Sequence, residues 1–384
     1  MSSPAARTDA FPATGRIAGL DGLRALAIGM VILSKLTHQP GFVSSRWLEI
    51  FSRQGGLGVD LFFVISGFLI TTLLLRERQQ SGQIDLTAFY VRRSLRILPA
   101  YFLLLIVLAI LQAAQWVSIS GLNWLAAVTY TVNFIDPAAW DLGHVWSLSV
   151  EEHFYLVWPW VVAACSIRRL ERIVLASLLL PILLRIAIVF GWPEQCYVVE
   201  SWTFTRIDTL AAGCGLAILL ANPLRCEQLQ GWTERLGGWK TAVAGLLLTV
   251  LLSASGKFAL IPGLLLNGLW MSWLLFEVVR RPECRFTRLL SCRPLTLVGT
   301  LSYSIYLWHR LWLRPADVSW DWHWTVCLAG LAVTAVASWW LVETPCLRLK
   351  DRWSRRRSQQ PHSSPTRSLA TNSLPAVTGT VAVS

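Results

Sequence analysis

Charged residues are scarce in this chain. They make up 15% of its 384 residues, whereas about 25% is usual for a soluble domain. Hydrophobic residues make up 54%, and long apolar runs recur from one end of the chain to the other. This composition excludes a soluble domain with a single anchor and predicts an all-α polytopic membrane protein.

Signatures of several other protein classes are missing. The eight cysteines form no C-x-x-C pair and no His/Cys ligand spacing, so the sequence predicts neither a disulfide framework nor a metal site. No nucleophile elbow surrounds Ser147 or Ser149. No repeated halves of the kind found in many transporters are visible. The first apolar run is too long for the apolar core of a cleavable signal peptide.

Basic residues are abundant but clustered. The net charge of +12 comes largely from short Arg-rich stretches between apolar segments. That pattern is typical of cytoplasmic loops, and it gives little support to nucleic-acid binding. We therefore predict membrane lipids, and no nucleic acid, as partners of the chain.

Ten apolar segments are long enough to be predicted as membrane crossings. They lie at residues 18–38, 57–75, 97–114, 146–166, 173–191, 206–221, 241–256, 259–279, 296–313 and 324–342. The stretch at 121–135 is short and contains Asn and Thr, so we predict a re-entrant or interfacial segment there. A transmembrane domain is thus predicted at 17–347, between disordered ends at 1–16 and 348–384.

The positive-inside rule sets the predicted orientation. If 121–135 does not cross, the Arg-rich loops and the basic C-terminal tail all fall on one side of the membrane. That side is then the cytoplasm, and both termini lie in it. If 121–135 did cross, Arg168, Arg169 and Arg172 would move outside and the later clusters would invert.

This orientation gathers polar side chains at two depths. An ionisable group inside the membrane costs roughly 2.5–3.5 kcal/mol on insertion scales, so such groups are expected to face one another around a hydrated pocket. The group on the outer side comprises Lys35, Asp60, His144, Glu151, Glu152 and His309. The group on the inner side comprises Arg24, Arg92, Arg93 and Arg96, which suits a phosphate-bearing ligand, although each arginine could simply set topology.

Seven motifs in order carry a family resemblance. They are GLDGLRALAIGMVIL (19–33), GVDLFFVISGFLI (58–70), VRRSLRILPAY (91–101), HVWSLSVEEHFYLVWP (144–159), TRIDTLAAGCGLA (205–217), LSYSIYLWH (301–309) and VETPCLRL (342–349). In these motifs the chain resembles the membrane acyltransferase-3 family of integral-membrane acyltransferases. Only the termini fall outside the resemblance.

The resemblance implies an activity. Members of the family transfer an acyl group, usually acetyl from cytoplasmic acetyl-CoA, to a carbohydrate hydroxyl at the outer face of the membrane. It implies acetyl-CoA as co-substrate, no metal, a carbohydrate or glycolipid acceptor and a bacterial inner membrane, and it leaves the oligomeric state open. Some members also carry an extracytoplasmic hydrolase-like domain. Residues after 350 are too few for one, so a stand-alone form is expected.

The family's functional residues carry over to matching positions. Arg24 matches its functional arginine in the first span, and Arg92, Arg93 and Arg96 match its basic donor-side motif. Glu151 and Glu152 match its paired carboxylates, whereas His153 stands where Gln is more common. Tyr303, Tyr306 and His309 match its SYSIYLWH segment, and His144, Asp60 and these tyrosines are the expected substrate-pocket residues.

One position departs from the family pattern. The family's catalytic histidine lies eleven residues after the arginine, where this chain has Lys35. Imidazole removes a hydroxyl proton near neutral pH, and an ammonium does not. Lys35 could inactivate the chain, His38 could take over, Lys35 could act as a neutral amine, or His309 or a glutamate could serve. The alternatives to acyl transfer are a binding or scaffold protein of glycan synthesis and a small-molecule transporter.

Overall fold

The computed structural model describes residues 17–39, 41–42, 45, 48, 55–136, 138–315 and 322–358. Within these ranges the secondary structure is helical. The helices are α1 (Ala18–Leu36), α2 (Gly55–Ser81), α3 (Leu86–Ala113), α4 (Gly121–Val128), α5 (Trp140–Gly143), α6 (Val145–Ala164), α7 (Ile167–Gly191), α8 (Val198–Ser201), α9 (Thr203–Leu220), α10 (Pro223–Arg235), α11 (Trp239–Leu252), α12 (Gly256–Phe258), α13 (Leu264–Arg280), α14 (Arg285–Leu290), α15 (Arg293–Trp312), α16 (Trp324–Ser338) and α17 (Thr344–Ser358).

Local sequence explains where several helices begin. The Asp85 side chain accepts a hydrogen bond from the backbone N–H of Ala88 at 2.9 Å and so caps α3. Ser120 caps α4 in the same way, through the N–H of Asn123. These caps satisfy backbone donors that have no partner inside the helix. Pro223 opens α10, where a missing N–H costs nothing.

Six helical segments are long and apolar enough to cross a membrane, and a seventh is added if one bent pair counts as a single span. The bent pair joins Pro223–Arg235 to Trp239–Leu252 at an angle of 72°. Three further helices of 19 or 20 residues, α1, α6 and α15, fall outside this set. They carry several ionisable side chains discussed below: Asp21, Arg24, Lys35, Glu151, Glu152, His309 and Arg310. The chain is an integral membrane protein.

Contacts between helices fix their relative directions. Near its start α1 meets α15, because a Cβ on Gly299 would collide with the Asp21 carbonyl. At the far ends of the same helices Lys35 and His309 line one cavity, so α1 and α15 run parallel. The start of α2 lies against the end of α1, where a Cβ on Gly55 would meet Ser34. Helix α2 therefore runs antiparallel to both.

Helices α3 and α6 are antiparallel to each other. Tyr90 in α3 donates to the carbonyl of Leu156 at 2.7 Å. Arg93, which follows Tyr90 in α3, lies 3.8 Å from Glu151, which precedes Leu156 in α6. The end of α3 and the start of α6 thus lie at the same end of the bundle. The stretch predicted as re-entrant, 121–135, holds only the eight-residue α4 and a 3₁₀ turn. An α-helix of that length is about 12 Å long, too short to cross.

Glycine allows α2 and α9 to approach closely. A Cβ on Gly213 would collide with the backbone carbonyl of Val64, and a Cβ on Gly67 would collide with that of Leu210. Small residues at such crossings let helix backbones pack together in a membrane. Gly215, two residues on, would meet only a Val174 methyl group at 3.3 Å. The close approach therefore depends on Gly213 of that pair.

The ends of the predicted domain differ from expectation at one point. The sequence predicts a disordered tail from residue 348, yet α17 continues to Ser358. The helix packs along α3, and Lys350 lines a cavity with Arg92. Residues 1–16 and 359–384, for which disorder is also predicted, lie outside the described residues.

Candidate functional site

Four cavities form a linked series through the bundle. We name them the inner cavity (about 470 Å³, lined by Arg76, Arg92 and Lys350), the arginine cavity (about 270 Å³, Asp21 and Arg24), the central cavity (about 100 Å³, Ser66, Glu151 and Tyr303) and the outer cavity (about 320 Å³, Lys35, His38 and His309). Each shares lining residues with the next, and the central cavity has the smallest volume of the four.

Shared side chains show where the cavities meet. Arg93 and Arg96 line the inner, arginine and central cavities alike. Arg24 and Ser66 are common to the arginine and central cavities. The central and outer cavities share Tyr306 and Val59. Members of both groups of polar residues predicted at different depths therefore border one interrupted path, although Asp60 and Glu152 do not.

The inner arginines differ in how they are paired. Arg24 lies 3.2 Å from Asp21 within α1, and Arg92 lies 3.2 Å from Glu77. Arg93 lies over the Tyr155 ring at 3.6 Å from its centroid. Arg96 has no carboxylate within 4 Å among the described side chains, and it remains exposed towards the cavities. Arg96 is thus the guanidinium most available to an anionic ligand.

The two predicted glutamates have different surroundings. Glu151 accepts a hydrogen bond from Ser66 at 2.7 Å, and its other oxygen lies 3.8 Å from Arg93. It lines the central cavity. Glu152, one residue on, points about 100° around the helix and lines none of the four cavities. His153 bonds to Thr203 at 2.7 Å, also away from the cavities.

Two buried histidines meet beside the outer cavity. His309 uses Nδ1 for a 2.6 Å bond to the Tyr306 carbonyl. A carbonyl only accepts, so Nδ1 carries the proton and the Nε2 lone pair is left open. His144 uses Nε2 for a 3.0 Å bond to the Leu307 carbonyl, and its buried Nδ1 has no hydrogen-bond partner among the described residues. The centroids of the His144 and His309 rings are 5.0 Å apart.

His38 also lines the outer cavity, but in a more open place. Its side chain is exposed, and Nδ1 bonds to the Ser34 carbonyl at 2.9 Å. Its Nε2 lone pair is therefore available as well. Lys35 lies one turn earlier with Nζ 5.5 Å from the centroid of the Trp140 ring. Both candidates raised by the departure from the family pattern thus reach the same cavity.

The hydroxyl groups of the two predicted pocket tyrosines already donate hydrogen bonds to backbone carbonyls. Tyr303 donates to the Ile97 carbonyl at 2.9 Å, and Tyr306 donates to the His144 carbonyl at 3.0 Å. Ser147 in turn bonds to the Tyr306 hydroxyl at 2.7 Å. Both rings line the central cavity. Their protons stabilise helix contacts, which leaves the arginines as the stronger donors facing that cavity.

The structure places Asp60 in a different role from the predicted one. Asp60 is buried in an ion pair with Arg206, and Asn267 lies 3.5 Å from its second oxygen. It lines none of the four cavities. Arg206 also lies against the Trp146 ring at 5.6 Å. Charge alone could not separate a pocket carboxylate from one that joins two helices.

Two further ionisable residues were not predicted, of which one lines a cavity and the other lines none of the four. Arg310, next to His309, lines the outer cavity. Glu343 is buried and accepts a hydrogen bond from Ser304 of α15. An ionisable residue inside an apolar segment was the available signal for both. Among the described residues no cluster of three or more potential ligands could hold a metal ion.

Comparisons with known proteins agree with this architecture. The family described as "Acyltransferase domain" matches residues 17–343, which include every helix that lines the central and outer cavities. The chain therefore belongs to the acyltransferase-3 family of membrane proteins. No solved structure matches it.

Several curated proteins are similar in sequence. The chain is 31% identical over 322 residues to the O-acetyltransferase OatA of Staphylococcus aureus, covering 76% of this chain and 49% of that protein. It is 29% identical over 323 residues to the peptidoglycan O-acetyltransferase OatA of Listeria monocytogenes (76% and 49%). It is 33% identical over 324 residues to the putative peptidoglycan O-acetyltransferase YrhL of Bacillus subtilis (76% and 48%). The chain spans about half the length of these relatives.

Proposed function

We propose that the chain is a membrane O-acyltransferase that moves an acyl group, preferably acetyl, from cytoplasmic acyl-CoA to a carbohydrate hydroxyl at the outer side. The linked cavities carry the proposal, because they join a basic inner end to an outer end with two available imidazoles. Relatives whose names describe O-acetyl transfer, two of them to peptidoglycan, support a carbohydrate acceptor.

The proposed topology has ten crossings with both termini in the cytoplasm of a bacterial inner membrane. Six segments qualify by length and composition, and the bent pair adds one. Helices α1, α6 and α15 would bring the number to ten. The end of α3 and the start of α6 lie at the same end of the bundle. This agrees with a segment at 121–135 that leaves and re-enters on the same side of the membrane. A tag after residue 350 that reacts with an impermeant reagent outside the cell would contradict this topology.

At the inner side, acyl-CoA would bind through its phosphates. Arg96 is proposed as the main contact, because it is exposed to three cavities and has no carboxylate partner among the described residues. Arginine suits phosphate because its planar fork can donate two hydrogen bonds to it. Arg92 would contribute less, since it is already paired with Glu77. The pantetheine arm would then pass Arg24 into the central cavity.

At the outer side, we propose His309 as the base. Its bond to the Tyr306 carbonyl holds the ring with Nε2 available, and burial fixes its position. Nε2 would take the proton of the sugar hydroxyl, whose oxygen forms a bond to the thioester carbon. Arg93 or Arg24 would stabilise the oxyanion, and the C–S bond would then break to release the CoA thiolate. His38 is the second candidate for the base.

The test uses purified chain in proteoliposomes with acetyl-labelled acetyl-CoA inside and oligosaccharides outside. Label should appear on the oligosaccharide as an ester. His309→Gln should lower kcat by roughly 10²-fold or more, in line with the usual contribution of a general base. His38→Gln should change it little. If only His38→Gln abolishes transfer, the base is His38, and if no variant or acceptor supports transfer, acyl transfer itself is refuted.

One observation favours a second function. Lys35 occupies the position of the family's catalytic histidine. A chain that has lost turnover could still bind acyl-CoA or glycan as a scaffold in envelope synthesis. Saturable acetyl-CoA binding that depends on Arg96, without ester formation on any tested acceptor, would support the scaffold. Net movement of an unmodified small molecule across the vesicle would support a transporter instead.

A further inference from the structure

The outer cavity contains two cations beside one indole ring. Lys35 Nζ lies 5.5 Å from the centroid of the Trp140 ring, and Arg310 Cζ lies 4.4 Å from it. Arg310 donates through Nη1 to the Trp140 carbonyl at 2.9 Å, and Trp140 Nε1 donates to the Arg310 carbonyl at 3.0 Å. These reciprocal bonds fix the ring and the guanidinium together. Both cations line the cavity.

Neither cation has a carboxylate partner among the described residues. The ion pairs there include none within 4 Å of Lys35 or Arg310. The Asp141 carboxylate lies near enough to interact with the charge of Arg310, but its direct ion pair is with Arg314. Glu200 lines the same cavity, but its side chain is exposed and takes part in none of these ion pairs. Arg310 Nε is buried and has no hydrogen-bond partner in the part of the chain that the structure describes.

The histidines do not supply the missing negative charge. Besides Glu200, the other titratable groups that line the cavity are three histidines and one tyrosine: His38, His144, His309 and Tyr306. Each histidine is neutral or cationic, and the Tyr306 hydroxyl donates its proton to the His144 carbonyl. Two unpaired cations close together repel each other, and desolvation raises the cost of each. An anionic ligand held between them would offset both costs. The aromatic ring contributes attraction to the cations but cannot neutralise them.

We propose that Lys35 and Arg310 form an anion subsite of the outer cavity, which binds a carboxylate or phosphate group of an acidic saccharide. This inference rests on the proposed function only in taking the outer cavity as the acceptor side. It assigns Lys35 a role in acceptor selection rather than in proton transfer. Arg310, held by Trp140, supplies a pre-oriented fork, and Lys35 adds a mobile point charge.

The experiment reads binding directly at Lys35. The chain has four lysines, Lys35, Lys240, Lys257 and Lys350, so reductive ¹³C-methylation in nanodiscs gives few amine resonances, and Lys35→Arg assigns the one of interest. The probes are methyl β-glucoside, methyl β-glucuronide and the 6-phosphate of methyl β-glucoside, without acyl-CoA. Lys257 is the internal control, because it also lies over an aromatic ring, Phe190 at 4.8 Å, but lines none of the four cavities.

We expect at least one acidic probe to shift the Lys35 resonance saturably, with no saturable shift at Lys257 and none from the neutral glucoside. A response to the glucuronide alone identifies a carboxylate, and a response to the phosphate alone identifies a phosphate. In calorimetric titrations Lys35→Gln should weaken binding by roughly tenfold or more, and Lys35→Arg should retain most of it. Lys257→Met should leave it unchanged.

Equal binding of the neutral and acidic probes, or no saturable response to any of them, overturns the subsite. The results that would refute the anion subsite differ from those that would refute acyl transfer. A chain that binds acidic probes but forms no ester keeps the subsite and refutes the proposed reaction. A chain that acylates acidic and neutral sugars equally well, and still does so with Lys35→Gln, keeps the reaction and refutes the subsite.

Discussion

The neighbouring glutamates in α6 offer a matched comparison. Glu151 lines the central cavity and contacts Ser66 and Arg93, whereas Glu152 lines none of the four cavities. Replacing each with glutamine keeps size and one carbonyl acceptor but removes the charge. We expect Glu151→Gln to impair acyl transfer and Glu152→Gln to have a small effect on it.

The size of the effect follows from the geometry. Glu151 and Arg93 are 3.8 Å apart and only 13% and 17% exposed. At an effective dielectric constant of about 20 the Coulomb attraction is about 4 kcal/mol. Much of this is offset by desolvation. We therefore take a net loss of about 1.5–3 kcal/mol, the usual value for a hydrogen bond to a charged group such as the one that Ser66 donates to Glu151. If Arg93 stabilises the transition state through its contact with Glu151, kcat/KM should fall roughly 10- to 100-fold.

The assay is transfer of labelled acetyl to an oligosaccharide, with thermal unfolding measured in the same detergent. Both variants should melt within a few degrees of the parent, so that activity reports on the site. A larger loss with Glu152→Gln than with Glu151→Gln would refute the assignment of the central cavity as the reaction site. Loss of stability in Glu151→Gln that matches its loss of activity would show a structural role only.

Three further predictions follow from other contacts. Asp60→Asn or Arg206→Met alone should destabilise the chain by about 3–5 kcal/mol, and the double variant should recover much of this, as measured in a thermal double-mutant cycle. Gly213→Ala should cost about 1–3 kcal/mol through overpacking, whereas Gly215→Ala should be near neutral, and equal melting temperatures would contradict the close approach. Arg96→Gln should raise KM for acetyl-CoA about tenfold with little change in kcat, and an unchanged KM would remove Arg96 from the donor site.

Hydrophobic length alone predicts most of the fold. The apolar runs that indicate helices correspond to the long helices observed, because backbone groups in lipid must be satisfied within the segment. The short helix at Gly121–Val128 agrees with the prediction of a non-crossing segment. Apolar length does not reveal the π-helical turns at Ala259–Gly263 and Trp339–Glu343. Those depend on local packing rather than on hydropathy.

The sequence predicted a position along the helix for each site residue, but not the direction in which its side chain points. Positive-inside arguments assigned depths that stay a prediction, whereas the structure shows that Arg24, Lys35 and His309 line the cavities. They did not give the helix face or the partner, so Asp60 was assigned to the pocket and Arg310 was omitted. Facing depends on which side chains of neighbouring helices compensate each charge, and one sequence does not contain that information.

Replacement of Lys35 by histidine tests the base and the anion subsite against each other. If Lys35 only marks a lost catalytic residue, Lys35→His should raise transfer to every acceptor, because an imidazole then stands at the position where the family resemblance implies the catalytic histidine. If Lys35 binds the acceptor's anionic group, the same change should raise KM for acidic saccharides while transfer to neutral ones stays equal or improves. Measuring kcat/KM for methyl β-glucoside and methyl β-glucuronide with both proteins separates the two. A uniform gain would contradict a role of Lys35 in selecting the acceptor, even though Lys35 and Arg310 line the same cavity.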